Sequence, residues 1–77
     1  MTQVDQVLDI RGEVCPYTYV KTLLALEEMQ PGQILRVRLD YEPATRSVPR
    51  SAVIQGDEVL SVTATLLGEW EILVRKR

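Results

Sequence analysis

The chain has 77 residues, 45% hydrophobic and 26% charged, with nine basic and eleven acidic side chains for a net charge of -2. So short a chain buries only about 60% of its unfolded surface, enough for one thin core and one domain. One cysteine and no histidine exclude an internal disulfide, a zinc or iron–sulfur site built from the chain's own soft ligands, and a Cys–His nucleophile pair.

The acidic balance offers no general attraction to nucleic acid, although Arg75, Lys76 and Arg77 make a small basic tail. No apolar run suits a membrane span, and Met1 to Asp5 is polar, unlike a signal peptide; a cytoplasmic location is expected. There is no repeat, low-complexity tract or linker, so residues 1–77 read as one folding unit.

A first strand is predicted from Gln6 to Asp9 or Ile10, with Leu8 and Ile10 on one face and Asp9 on the other. Arg11 to Val14 make a loop in which Gly12 supplies backbone freedom. Pro16 to Met29 is the clearest helix. Val20, Leu23, Leu24 and Leu26 recur at helical spacing, Lys21 and Glu28 share the opposite strip, and Glu27 falls at an edge. Pro31-Gly32 closes that helix.

Ile34 to Asp40 sets Leu35, Val37 and Leu39 against Arg36 and Arg38, the pattern of a half-exposed strand. Pro43 to Ser47 reads as a turn, followed by a short helix to about Gln55 with Ser47 as N-cap, Pro49 in its first turn and Gly56 at its end. Glu58 to Leu66 alternates Leu60, Val62, Ala64 and Leu66 with Ser61, Thr63 and Thr65. A turn at Leu67-Gly68-Glu69 leads into a last strand carrying Trp70, Ile72 and Val74. The order βαβαββ predicts an α/β two-layer sandwich: a four-stranded mixed sheet with two helices on one face. Its open face would carry Arg36, Arg38, Ser61, Thr63 and Arg75, polar enough for a monomer.

The chemistry points to Cys15. A free cysteine is often no more than a small buried hydrophobe. Here flexible and polar residues precede it and a helix begins directly after it. With Pro16 at the first helical position, the sulfur is expected to meet the amide donors of Tyr17 and Thr18 at the positive end of a helix, which favours thiolate over thiol. Such a thiolate suits a nucleophile, a redox sensor or a carrier of transferable sulfur. The missing base weighs against hydrolysis, and the missing second cysteine against a sensor.

Leu8-Asp9-Ile10-Arg11-Gly12-Glu13-Val14-Cys15-Pro16 resembles the signature of the TusA/SirA family of sulfur-carrier proteins, Leu-Asp-x-Arg/Leu-Gly-x-x-Cys-Pro-x-Pro. The likeness continues through Leu26, Pro31-Gly32, Asp40, Pro43-Ala44-Thr45, Val48-Pro49 and Gly56, over nearly the whole chain. It implies a βαβαββ sandwich whose Cys15 accepts sulfur as a persulfide from a cysteine desulfurase or a rhodanese and hands it to an acceptor protein. The acceptors serve tRNA thiolation, cofactor synthesis or sulfur oxidation. No cofactor, metal, membrane or direct nucleic-acid contact is implied.

One departure is plain: the family's second proline is Thr18 here. Threonine restores an amide donor and adds a hydroxyl, so the thiolate is expected to be held at least as well, in a slightly less rigid loop. Arg11 is a candidate to hold the sulfur's charge or guide a partner, and Tyr17 to be an exposed docking contact. Tyr19 is expected to be partly core. Lys21 is expected to point away from the capping side, and Asp40 and Thr45 to shape a turn. Two other functions are open to the sequence. One is a binding or regulatory module contacting RNA, on a fold like the C-terminal domain of the third bacterial translation initiation factor. The other is a sulfurtransferase that uses thiosulfate without a partner.

Overall fold

The computed structural model describes residues 3–77; Met1 and Thr2 of the polar amino-terminal segment lie outside the described residues. The chain runs β1 (Gln6–Asp9), α1 (Tyr17–Glu27), β2 (Ile34–Leu39), α2 (Ala44–Ile54), β3 (Glu58–Leu66), β4 (Glu69–Arg75). The sheet order is β1-β2-β4-β3, with β1 parallel to β2 and β4 antiparallel to both its neighbours. This is the mixed α/β two-layer sandwich that the strand patterns imply. No helix among the described residues is long and apolar enough to cross a membrane.

The alternation in β2 does what its period requires. Leu35, Val37 and Leu39 are fully buried, and each faces a β4 residue of the same side: Val74, Ile72 and Trp70. Leu26 of α1 and Ala44, Val48 and Ala52 of α2 close over them. Each fully buried leucine or valine contributes about 1.5–3 kcal/mol relative to exposure. The opposite face is charged and paired: Arg36 lies 3.8 Å from Glu71, and Arg75 3.3 Å from Glu58.

Three expectations are corrected. First, α1 turns a different side inward. Thr18, Thr22 and Leu26 are buried, one turn apart, while Val20 and Leu24 are exposed. Thr22 is tolerated inside because its Oγ1 donates to the Thr18 carbonyl at 2.8 Å, satisfying that hydroxyl within the helix, whereas the Thr18 hydroxyl is buried without a partner. α1 packs against α2, whose buried row of Ala44, Val48 and Ala52 is also small. Compact side chains such as these let two helices approach closely.

Second, α2 begins at Ala44, with Pro43 in the N-cap position. Ser47 therefore lies inside the helix, its Oγ without a hydrogen-bond partner, and Pro49 is an interior proline. The entry is made by the chain before it: the Ala44 amide donates to the Tyr41 carbonyl, and both the amide and hydroxyl of Thr45 donate to the Glu42 carbonyl. Pro43, at φ -58, has the torsion a helix entry needs and no amide to leave unpaired.

Third, β3 does not alternate cleanly. Register shifts fall between Val59 and Ser61 and between Ala64 and Leu66. Val59, Val62 and Ala64 consequently oppose Val74, Ile72 and Trp70 on the helix side, while Leu66 opposes Glu69. A bulge moves the residues after it to the other face.

The strand directions fix what lies at each end of the molecule. β1 and β2 finish, and the β3–β4 hairpin turns, at the end where the Cys15 loop begins. The basic tail is at the other end, where the Lys76 amide and carbonyl bond Gln33 and Gly32.

Candidate functional site

The loop from Ile10 to Pro16 leaves β1 and delivers the chain to α1. Its first half is tied to three strands. The Ile10 amide donates to the Arg38 carbonyl at 2.9 Å. Arg11 forms a two-pronged pair with Asp9, Nε to Oδ1 at 2.9 Å and Nη2 to Oδ2 at 2.8 Å, and its Nη1 lies 3.5 Å from Glu69. The Gly12 amide donates to Asp40 Oδ1 at 2.8 Å. Gly12 itself has φ +91, a conformation only glycine adopts freely.

The second half carries the thiol. Cys15 is free and exposed, followed by a cis peptide to Pro16. Pro16 occupies the N-cap position of α1 rather than its first helical residue. The first amide making an i to i-4 bond is that of Val20, to the Pro16 carbonyl at 3.2 Å. The amides of Thr18 and Tyr19 precede it and have no acceptor within the helix, which gives this end its partial positive charge.

The donors expected around the sulfur are turned elsewhere. The Tyr17 amide donates to the Val14 carbonyl at 2.8 Å, so it is not aimed at Cys15. Thr18 is fully buried and its Oγ1 has no hydrogen-bond partner, so the added hydroxyl does not hold the sulfur. Arg11 spends its guanidinium on Asp9 and Glu69. Tyr17 is exposed beside Cys15, and Tyr19 packs against the core, both as expected. Lys21 is not remote: its Nζ reaches back to Glu13 Oε2 at 2.9 Å and fastens α1 to the loop.

Arg11 also sets the electrostatics. Its side-chain bonds, and then its backbone amide, hold the Asp9 carboxyl down at about 2, with Arg38 adding to the effect. The guanidinium is in turn pushed above its usual range by Asp9 and Glu69. Asp9, Arg11, Gly12, Asp40 and Glu69 line an open depression of about 530 Å³. Among the described residues no group of three metal-ligating side chains comes together. Sequence reasoning missed Glu69 and the Glu13–Lys21 link. A signal existed for Asp40, since Leu-Asp recurs where each parallel strand runs out, Leu8-Asp9 closing β1 and Leu39-Asp40 leading out of β2.

The chain is similar to known proteins in both sequence and fold. A family model described as sulfurtransferase TusA matches residues 6–76. Two relatives carry the name "putative sulfur carrier protein". That of Archaeoglobus fulgidus is 56% identical over 75 residues, covering 97% of this chain and 85% of its own. That of Thermotoga maritima is 41% identical over 73 residues, covering 95% and 92%. The crystal structure of a SirA-like protein from Desulfitobacterium hafniense superposes with a TM-score of 0.80 at 21% identity, covering 91% of this chain and 95% of that one, which establishes the shared fold.

Proposed function

The chain belongs to the sulfurtransferase TusA family, and from that premise we propose that it is a sulfur carrier, a single TusA-like domain whose Cys15 holds transferable sulfur as a persulfide. The observation that carries this reading is one exposed thiol at the start of α1 in a chain without histidine or a second cysteine. Such a thiol can exchange sulfur but has no partner within the chain for hydrolysis or disulfide formation. The names of the relatives support the same role.

The chemistry is an exchange without net oxidation. The Cys15 thiolate attacks the outer sulfur of a donor persulfide, R–S–SH. A new S–S bond forms at Cys15 while the donor's S–S bond breaks, and the donor departs as its thiolate. The outer sulfur keeps its proton. Delivery repeats the step with the acceptor as attacking group and Cys15 as leaving group. A protein of the cysteine desulfurase or rhodanese type fits as donor, and an acceptor in tRNA thiolation, cofactor synthesis or sulfur oxidation fits as recipient. The exposed position of Cys15 at the start of α1 leaves its sulfur open to donor and acceptor alike. Pro16 shapes the entry to the helix, Thr18 seats its first turn in the core, Arg11 braces the loop, and Tyr17 offers an exposed ring to the partner.

Intact mass after incubation with a sulfur donor tests this directly. Wild type gains one sulfur atom and Cys15→Ser gains none. A wild type that gains nothing from a protein persulfide, thiosulfate or inorganic polysulfide disproves the reading.

A further inference from the structure

The β3–β4 hairpin lies at the same end of the molecule as Cys15, and Arg11 of the Cys15 loop reaches Glu69 at its base. Its tip is apolar and uncovered: Leu66 is 64% exposed and Leu67 wholly so. Beside it is a groove of about 420 Å³ whose lining includes Ala64, Leu66, Leu67 and Trp70. Trp70 faces the helix layer and packs against the core, so the floor of this groove is rigid while its rim is open. β3 is an edge strand, and from Val59 to Gly68 it carries no charge and no proline. The two bulges in β3 guard the strand edge itself, so the open apolar surface is the hairpin tip.

Charge says what kind of partner fits. Between the hairpin and the Cys15 loop lies the depression lined by Asp9, Asp40 and Glu69 with the guanidinium of Arg11, and with Arg38 acting on Asp9 from β2 beside it, so that carboxylates outnumber cations there by three to two. The surface shared by thiol and hairpin is therefore apolar at its edge and anionic in its middle. Strands β1 and β3 are three spacings apart, about 14 Å. A standard protein contact of about 800 Å² per partner is roughly 30 Å across and covers both.

Resting on the carrier reading above, we propose that the hairpin is a docking element for the protein that delivers sulfur to Cys15, and that this donor presents an apolar side chain to the Leu66–Leu67 groove and lysine or arginine to the carboxylates. A second copy of this chain would bring the same carboxylates together and is disfavoured by like charge.

The test compares two sulfur sources on wild type and Leu67→Asp. One is a cysteine desulfurase of the same organism turning over free cysteine. The other is inorganic polysulfide, which gives up a sulfur to the same attack and leaves as a shorter polysulfide. Leu67 is fully exposed, so the substitution leaves the core alone. The ratio of desulfurase-driven to polysulfide-driven loading is expected to fall about tenfold in the variant. The wild-type ratio is expected to fall several-fold as salt is raised, because steering between opposite charges is screened. An unchanged ratio in Leu67→Asp overturns docking while leaving the carrier reading intact. Failure of wild type to load from either source overturns both. A dimer by light scattering that Leu67→Asp dissolves also overturns the proposal, because it assigns the hairpin to a second copy.

Discussion

Asp40 and Gly12 stand 28 residues apart in sequence, and the Asp40 carboxylate accepts the Gly12 amide at 2.8 Å. This bond joins the end of β2 to the loop that presents Cys15, and so couples the position of the thiol to the body of the sheet.

Removing the acceptor should loosen that coupling. Asp40→Ala is expected to cost about 1 kcal/mol, the usual net worth of such a bond at an exposed site. For a domain this small, that corresponds to a fall in Tm of about 4–8 °C. Asp40→Asn keeps a carbonyl oxygen and should recover most of the loss. Thermal unfolding of the three proteins decides it, and equal stability of wild type and Asp40→Ala would show that the bond contributes nothing.

The Asp9–Arg11 pair predicts a pH dependence of definite sign. An ordinary aspartate titrates near 3.9, whereas Arg11 holds Asp9 at about 2 in the folded chain. The folded carboxyl is more acidic than the unfolded one, so the unfolded state binds more protons between those values. The pair's contribution is complete above about pH 4 and is lost as pH falls through about 2. The carbon shift of the Asp9 carboxyl should titrate near 2, and urea midpoints of Asp9→Asn should decline less than wild type over this range. A carboxyl that titrates near 4 contradicts the pairing.

Thr18 offers a stabilising substitution. Its hydroxyl is buried without a partner, which costs about 1–3 kcal/mol in desolvation. Valine has the same shape and no hydroxyl, so Thr18→Val is expected to raise stability by about 1 kcal/mol. Thr22→Val should not, because Thr22 Oγ1 already bonds the Thr18 carbonyl. Urea unfolding separates the two, and a destabilised Thr18→Val would mean that the hydroxyl has an unseen role.

These residues show where sequence reading stops. The site loop was legible because its signals are local: Gly12 for an unusual torsion, then Cys15-Pro16 against a helix start. The β2 and β4 faces were legible because a period of two leaves little choice. The inward side of α1 was not. Hydropathy prefers Val20 and Leu24 to Thr18 and Thr22, and it cannot register that a threonine hydroxyl finds its acceptor one turn back. The start of α2 was missed for a related reason. Pro43 and Ser47 both suit a helix entry, and the bonds from Ala44 and Thr45 back to Tyr41 and Glu42 decide between them. The bulges in β3 depend on how β4 lies beside it, which no single strand encodes. Nor does a sequence reveal that Lys21 bonds Glu13, since that depends on the turn between them.

Gly12 and Gly32 share a φ of +91, and a Cβ added at either would meet no atom within 4 Å. The cost of alanine at each is therefore backbone strain alone, about 1–2 kcal/mol. Their surroundings differ. Gly32 precedes β2, where its amide donates to the Lys76 carbonyl at the end opposite Cys15. Gly12 holds the bend by which the Cys15 loop reaches Asp40. Both Gly12→Ala and Gly32→Ala should lose similar stability, but only Gly12→Ala should alter the rate at which Cys15 reacts with iodoacetamide under conditions where both variants are folded. An equal reaction rate in all three proteins would mean that the loop delivers Cys15 to α1 independently of its bend, and that the anchors at Asp9, Asp40 and Glu69 serve stability alone.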